Sequence, residues 1–209
     1  MQLAVFGGTG RSGIPLIQQA LQKGDTVVAL VRTPSKMTIQ HERLNVVQGD
    51  VMNPGDVDKV VQGADAVLSV IGHVKGSPKD IQTVGIQNIL ASMNKYGVKR
   101  LISLTGAGVA VPQDKPKFIN HVISFLLKLL SGDVLADAEH HFEVVQKSPV
   151  EWVVVRGPRL TEGPYTGKYR VGWVGVNTGT VISRADLADF MLKQVTDTTY
   201  LRQAPMVSD

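Results

Sequence analysis

Apolar residues follow two alternating patterns along this chain. Short unbroken runs rich in β-branched residues, such as the one from Thr26 to Val31, are typical of strands buried on both faces of a parallel sheet. Longer stretches, in which apolar residues recur every three or four positions, are typical of helices with one buried face. Because the two patterns alternate, the sequence predicts an α/β fold with a doubly wound parallel sheet.

The predicted elements cover most of the chain. The predicted strands are 3–6, 26–31, 44–48, 66–71, 100–105 and 151–156, with an exposed strand over 168–176 and a short final strand over 204–207. The predicted helices start at Ile14, Asp56, Ile81 and Ile182, and two further helical segments between Lys117 and Gln146 are separated near Ser131-Gly132. Gly24 is the expected end of the first helix. Ser183 is an expected N-cap with Asp186 in a capping-box position.

A glycine-rich turn joins the first strand to the first helix. Gly7, Gly10 and Gly13 give the spacing G-x-x-G-x-x-G, a variant of the dinucleotide-binding fingerprint of Rossmann-type folds. A plain β-turn can hold the same glycines, but the strand before, the helix after and the next strand at 26–31 favour a phosphate site. The unpaired N–H groups of the helix N-terminus would bind the anion.

The end of the second strand distinguishes two cofactors. Sites that prefer NAD carry an acidic residue there, which accepts hydrogen bonds from the ribose 2′-OH. This chain has Arg32, with Lys36 four residues later and no carboxylate between them. A guanidinium can bind a 2′-phosphate through charge-assisted hydrogen bonds, so the sequence predicts NADP(H). A solvated basic turn is the alternative interpretation.

The C-terminal ends of the other strands should line the same crevice. Asp50 follows the third strand and either accepts a hydrogen bond from adenine or serves as a turn residue. Gly72 follows the fourth strand. Thr105 closes the fifth strand, where the loop of this fold faces the nicotinamide. The adjacent His140 and His141 point about 100° apart on a helix, so they are expected on its polar face and no metal site is predicted.

Composition narrows the class of protein. The 209 residues allow one domain, with substrate-side elements at about 107–135 and 157–182. The net charge of +4 is scattered, and only 5% of residues are aromatic, which argues against nucleic-acid binding. The chain has no cysteine, no signal-peptide pattern and, over 118–130, an apolar stretch too short to span a bilayer, so we expect a cytoplasmic protein without membrane contact.

Several motifs together resemble the atypical short-chain dehydrogenase/reductase superfamily. They are Gly-Gly-Thr-Gly-Arg-Ser-Gly from Gly7, Gly49-Asp50-Val51, Arg159-Leu160-Thr161-Glu162-Gly163-Pro164, and Ile182-Ser183-Arg184-Ala185-Asp186. Within that superfamily the chain is similar to the small NAD(P)H-binding proteins that include biliverdin-IXβ reductase (flavin reductase) and the NmrA-like proteins. The resemblance extends over nearly the whole chain.

The resemblance implies a role for each matching position. The pyrophosphate would lie on Gly7, Thr9, Gly10, Arg11, Ser12 and Gly13, the 2′-phosphate on Arg32, the adenine on Asp50 and Val51, the adenosine ribose beside Gly72, and the nicotinamide between Thr105, Gly106, Pro158 and Arg159. Two positions depart from the reductase: this chain has Gly106 in place of a serine, and Arg159 in place of a histidine. The Tyr-x-x-x-Lys pair of the standard enzymes is also missing, which disfavours alcohol oxidation and sugar epimerisation.

We therefore expect an NADPH-dependent reductase of a planar conjugated acceptor: a flavin, a quinone or a biliverdin-like tetrapyrrole. Such an acceptor needs only to stack on the nicotinamide, and its proton can come from water. Thr105 and Arg159 are the candidate catalytic residues, with Arg159 or Arg156 holding an anionic group of the acceptor. The alternative is a non-catalytic NADP(H) sensor of the NmrA type. We expect a monomer or a weak homo-oligomer.

Overall fold

Strand β1 (Gln2–Phe6) lies in the middle of the sheet on which the whole chain is built. It pairs in parallel with β2 (Thr26–Val31) on one side and with β4 (Ala66–Ser69) on the other. Its residues Leu3, Val5 and Phe6 are each 1% exposed, since helices cover both faces. A strand buried on both faces must be apolar throughout, which is why it appears in the sequence as an unbroken apolar run.

The structure is a computed structural model that describes the backbone of residues 1–116 and 118–209 and the side chains of residues 1–116 and 132–209. The remaining strands are β3 (Leu44–Gln48), β5 (Arg100–Gly106), β6 (Glu151–Gly157), β7 (Arg159–Thr161), β8 (Arg170–Gly172), β9 (Val181–Ser183) and β10 (Met206–Ser208). The helices are α1 (Gly13–Gln22), α2 (Pro54–Val61), α3 (Ile81–Tyr96), α4 (Phe118–Lys147) and α5 (Arg184–Lys193).

The main sheet has the strand order β3-β2-β1-β4-β5-β6-β10-β8. The strands from β3 to β10 run parallel, and β8 is antiparallel to β10. The order reverses between β1 and β4, which leaves a crevice at the carboxyl ends of these strands. The predicted doubly wound α/β fold is therefore confirmed.

Helices cover the sheet on both faces. One apolar core joins α2, α3 and α4 to one face, and Val57, Ile89 and Phe142 are among its buried residues. The other core joins α1 and α5 to the opposite face, with Leu16, Ile17 and Phe190. In the described part of the chain, no helix is both long enough and apolar enough to cross a bilayer.

The local capping predictions agree with the structure. Gly24 follows α1 with a φ of 93°, and Gly97 ends α3 with a φ of 73°, a left-handed conformation that favours glycine. The Ser183 hydroxyl accepts a hydrogen bond from the Asp186 amide at 3.0 Å, as an N-cap does.

Three predicted elements differ from the structure. α4 is one continuous helix, so the predicted break near Ser131-Gly132 is wrong: a single helical glycine costs only about 1 kcal/mol, and packing against α3 outweighs it. β4 ends at Ser69 rather than at residue 71. The exposed strand predicted over 168–176 is shorter, and a small second sheet of β7 and β9, missed by the sequence, supports the substrate side. Side chains 117–131, part of the predicted substrate-side element, lie outside the described residues.

The continuity of α4 can be tested with one substitution. A Cβ at Gly132 would meet no atom within 4 Å, and the residue is helical, so Gly132→Ala should raise the free energy of unfolding by about 0.5–1 kcal/mol. The measurement is urea unfolding. Gly97→Ala is the matched control, since that Cβ also meets no atom within 4 Å but Gly97 has a φ of 73°, and it should destabilise the protein. Destabilisation by Gly132→Ala would contradict a continuous helix.

Candidate functional site

The glycine turn brings α1 into close contact with β1 and the loop after β4. Gly7 has a φ of 82°, and a Cβ there would lie 2.8 Å from the carbonyl oxygen of Val70. A Cβ at Gly13 would overlap the carbonyl oxygen of Gly7 and the backbone of Gly8. The first position therefore needs glycine for its conformation, and the last needs it for the packing of the helix on the turn.

The N-terminus of α1 is built to receive an anion. Ser12 is the N-cap, but its side chain makes no capping hydrogen bond, so it does not satisfy the amides of the first turn. The Gly10 amide donates to the Gly7 carbonyl at 3.0 Å and holds the turn in shape. Within the first turn, the Ile14 amide donates to the Gly10 carbonyl at 3.0 Å and Pro15 has no N–H, so the positive end of the helix dipole, with Gly10, Arg11 and Ser12 before it, is what the crevice receives from α1.

A cleft of about 470 Å³ lies at this crevice, over the carboxyl ends of the parallel strands. Most of the predicted cofactor residues line it: Gly7, Thr9, Gly10, Arg11, Ser12, Arg32, Asp50, Val51, Gly72, Thr105, Gly106 and Pro158. The lining does not include Gly13, which is buried behind the turn, or Lys36 and Arg159, whose side chains are exposed. Residues as far apart in the chain as Gly7 and Pro158 are thus brought together, while their individual roles stay predictions.

The charge of the cleft favours an anionic ligand. Three arginines, Arg11, Arg32 and Arg184, line it, against one carboxylate, Asp50, within the described side chains. Asp50 accepts a hydrogen bond from the Met52 amide at 3.0 Å, which is the turn role considered for it, and it lines the cleft as well. Both interpretations of Asp50 are therefore compatible with its position.

Thr105 holds an unusual hydroxyl. The residue is 5% exposed, and its Oγ1 is buried without a hydrogen-bond partner, although it lines the cleft. Leaving a buried hydroxyl unpaired costs free energy, so such a group calls for an explanation. A ligand that reaches the end of β5 would supply the missing partner.

Arg156 does not do what the sequence suggested for it. Its side chain is fully buried, and its guanidinium makes two hydrogen bonds of 2.8 Å to the carboxylate of Asp114. It also donates to the carbonyls of Val109 and Ala204 at 2.8 and 2.7 Å. Every face of the group is occupied, so the expectation that Arg156 holds an anionic group of the acceptor is wrong.

The buried pair affects Asp114 in turn. Burial works to raise the pKa of Asp114, but the hydrogen bonds from Arg156 and from the amides of Val111 and Val174 lower it below its usual value. The carboxylate therefore stays ionised at neutral pH and connects loops from three parts of the chain. This ion pair therefore holds the loops of Val109, Val111 and Val174 against the end of β6.

The two adjacent histidines, His140 and His141, differ in exposure and in contacts. His140 is exposed, as predicted, but His141 is 3% exposed and lies 2.9 Å from the Ser103 hydroxyl through its Nε2. Burial lowers the pKa of His141 to about 4, with the nearby Asp137 charge opposing the shift. The prediction that both histidines lie on the polar face is thus wrong for His141, which lies on the side of α4 that packs against β5.

Two cleft residues with ionisable side chains, Arg184 and His73, were not among the predicted site residues. Arg184, the first residue of α5, is 8% exposed and donates to Glu162 Oε1 at 2.7 Å, while its Nε is buried without a partner. His73 follows Gly72 in the loop after β4 and lines the cleft. A histidine directly after a strand end was the available signal for His73, but the carboxylate it contacts is far away in the sequence.

The comparisons with known proteins agree with this geometry. The sequence profile of a family described as NAD(P)H-binding matches residues 7–198. The chain belongs to this family. The predicted NAD(P)H-binding family, and with it the predicted class of cofactor, is therefore confirmed.

Solved structures share the fold. A short-chain dehydrogenase/reductase from Veillonella parvula in complex with NADP has a TM-score of 0.79 and 17% identity, covering 100% of this chain and 94% of that one. ChuY from Escherichia coli O157:H7, an anaerobillin reductase, has a TM-score of 0.79 and 19% identity, covering 100% and 97% of the two chains.

A curated relative, the photosystem II assembly factor Ycf39 of Synechocystis, is 29% identical over 106 residues, which are 49% of this chain and 32% of that protein. The match thus spans about a third of the length of that relative.

The residues of the cleft fit a dinucleotide. Gly7, Gly10 and the side chains of Arg11 and Arg32 line the cleft, where backbone of the turn and positive charge suit a pyrophosphate. Arg32 follows β2 and Thr105 belongs to β5, strands on opposite sides of β1, so a dinucleotide bound at the turn could extend toward both residues.

Replacing Thr105 tests this fit. Thr105→Val keeps the shape and removes the unpaired hydroxyl, so the free energy of unfolding without NADPH should rise by about 1 kcal/mol. NADPH binding should weaken by about 1 kcal/mol, because one hydrogen bond is lost. Urea unfolding and calorimetric titration measure the two effects. Ser103→Ala is the control on the same strand and should lower stability without changing NADPH affinity. A lower free energy of unfolding together with tighter NADPH binding in Thr105→Val would show that the hydroxyl does not contact the cofactor.

Proposed function

We propose that this protein is an NADPH-dependent oxidoreductase that reduces a planar conjugated acceptor, such as a flavin, a quinone or a biliverdin-like tetrapyrrole. One observation carries the proposal. Val74 and Val134, which are 59% and 40% exposed and therefore unusually open for large apolar side chains, both line the cleft. Leu104, Pro158 and Leu160 continue the same apolar surface. A flat apolar ligand would cover these side chains.

The residues divide the cleft into two halves. NADPH supplies a hydride when it is bound. In the proposal, the glycine turn and the α1 N-terminus bind the pyrophosphate, Arg32 the 2′-phosphate, and Thr105 orients the reacting end of the cofactor. The apolar lining excludes water and holds the acceptor in contact with the cofactor, and proximity supplies much of the rate enhancement.

The lack of a Tyr-x-x-x-Lys pair in the sequence supports this class of acceptor. Tyr96 is followed four positions later by Arg100, and Tyr165 lies only three positions before Lys168, so neither forms the Tyr-x-x-x-Lys pair. Reactions that need this acid/base pair, such as alcohol oxidation and sugar epimerisation, are disfavoured. The anionic group of the acceptor would be held by Arg184, which lines the cleft. The predicted role of Arg159 stays a prediction, because its side chain is exposed outside the lining.

A second candidate is a protein that binds NADP(H) without turnover and passes its redox state to a partner. Gly106 favours it, because a hydroxyl that the similar reductases carry at the end of this strand is missing here. The Synechocystis relative is named as an assembly factor rather than as an enzyme, which supports the same alternative. Oligomeric state does not distinguish the two candidates.

The preference for NADPH can be measured directly. Arg32→Ala should weaken NADPH binding by about 1–3 kcal/mol and leave NADH binding almost unchanged, because only NADPH carries the 2′-phosphate that the guanidinium would bind. Lys36→Ala is the matched control, since Lys36 is exposed outside the cleft lining and should have a smaller effect. An equal loss of affinity for both cofactors in Arg32→Ala would refute the 2′-phosphate role.

The acceptor class requires a turnover assay. Purified protein should oxidise NADPH in the presence of menadione, FMN or biliverdin, and Val134→Asp, which places a charge on the apolar lining, should raise the KM for the acceptor more than the Kd for NADPH. Absorbance of NADPH follows the reaction. Tight NADPH binding without oxidation by any of the three acceptors would favour the sensor over the reductase.

A further inference from the structure

His73 has a position that the proposed function leaves unused. It lines the cleft, and its side chain is 15% exposed, so one part of the ring is in the protein and another part can meet a ligand. It is the only histidine among the described side chains that line the cleft. Histidine is the residue type whose ordinary pKa allows proton exchange near neutral pH.

The partner of His73 is a carboxylate on α4. Nε2 of His73 lies 2.8 Å from Oδ2 of Asp137, whose side chain is 2% exposed. An ionised carboxylate can only accept hydrogen bonds, so Nε2 carries the proton. The other ring nitrogen, Nδ1, is then the one that can exchange a proton with a ligand in the cleft.

Asp137 is held firmly enough to fix the ring. Its carboxylate accepts hydrogen bonds from the amides of Gln82 and Thr83, both at 2.9 Å, and from the Thr83 hydroxyl at 2.6 Å. These two residues form the first turn of α3, so Asp137 caps that helix in place of the N-cap Asp80, whose side chain makes no capping bond. Burial works to raise the pKa of Asp137, but the hydrogen bonds from Thr83, Gln82 and His73 lower it, so the carboxylate is ionised.

We propose that His73 is the proton donor of the reaction, oriented by Asp137; this inference rests on the proposed reductase function. The reduction of a quinone requires a hydride and a proton. The hydride leaves the cofactor, which becomes NADP⁺. The proton leaves Nδ1 of the His73 imidazolium for the anionic oxygen of the acceptor, and the neutral imidazole regains a proton from water at the open side of the cleft. The arrangement is that of a histidine oriented by a buried carboxylate.

The other charged groups near His73 lie on the middle turns of α4 and in the loop before α3. Asp133 lies one turn before Asp137 and forms an ion pair of 2.7 Å with Lys79, whose hydrogen bond is the main cause of the lowered pKa of Asp133, with a further contribution from the charge of His73. His141 lies one turn after Asp137 and is neutral at physiological pH because it is buried. The charged groups on this side of His73 are thus the carboxylates of Asp133 and Asp137 and the ammonium of Lys79.

The test compares two histidines of the same chain in the turnover of menadione. His73→Gln should lower kcat by about 100-fold, with the Kd for NADPH and the KM for menadione changed little, because a proton donor acts in the transition state. The wild-type kcat should fall as the pH rises through the histidine range, and this dependence should disappear in His73→Gln. Asp137→Asn, which keeps a hydrogen-bonding side chain without the charge, should lower kcat by roughly 10-fold. His140→Gln, an exposed residue of α4, should behave as the wild type.

A second measurement does not depend on turnover. The ¹⁵N chemical shifts of the His73 ring, assigned by the loss of its signals in His73→Gln, should show the proton on Nε2 in the neutral wild-type protein and a mixture of tautomers in Asp137→Asn. A proton on Nδ1 would overturn the proposal, as would a wild-type pH profile and kcat in His73→Gln. If the wild type oxidises no NADPH with any acceptor, the reductase itself fails and His73 loses this role with it. If the wild type is active and His73→Gln has an unchanged kcat, the reductase function stands and only the role of His73 as proton donor is refuted.

Discussion

The contact between the start of α1 and the end of β1 is the constraint on which the rest of the molecule depends. A side chain at Gly13 would overlap the carbonyl of Gly7, and a side chain at Gly7 would approach the carbonyl of Val70 at a φ of 82°, so the helix can lie against the turn only when both positions are glycine. This contact fixes the direction in which the α1 N-terminus points, and with it the position of any bound anion. The parallel strands on either side of β1 then bring Arg32 and Gly72 to the same crevice, since their carboxyl ends lie at one edge of the sheet.

The features that the sequence predicted correctly depend on local patterns. The glycine turn, the unbroken apolar strands and the Ser183 cap each lie within a few residues of one another, so spacing alone identifies them. The predicted cofactor class rests on the same turn, and the family match extends from that turn over residues 7–198. The break predicted in α4 was wrong because the local signal of one glycine was judged without the packing of that helix against α3.

The features that the sequence did not predict depend on partners that lie far away. Arg156 is at a strand end, where an arginine often faces solvent, and only the carboxylate of Asp114, 42 positions earlier, makes its burial possible. His73 and Asp137 are 64 positions apart, and no spacing rule connects them. His141 appeared equivalent to His140 in the pattern, but the helix presents one to Ser103 and the other to solvent. Charged and polar groups in the interior are recognisable only once both partners are known.

The ion pair of Arg156 and Asp114 has a consequence for how such a protein can diversify. It holds the loops of Val109, Val111 and Val174 through side-chain contacts on the substrate side, whereas the cofactor side is held by backbone contacts at glycines. The cofactor half tolerates almost no substitution at these glycines, because no side chain fits there. In the proposed function Val74 and Val134 would cover the acceptor, and neither belongs to the glycine turn or to the buried ion pair, so single substitutions at these positions could change the range of acceptors.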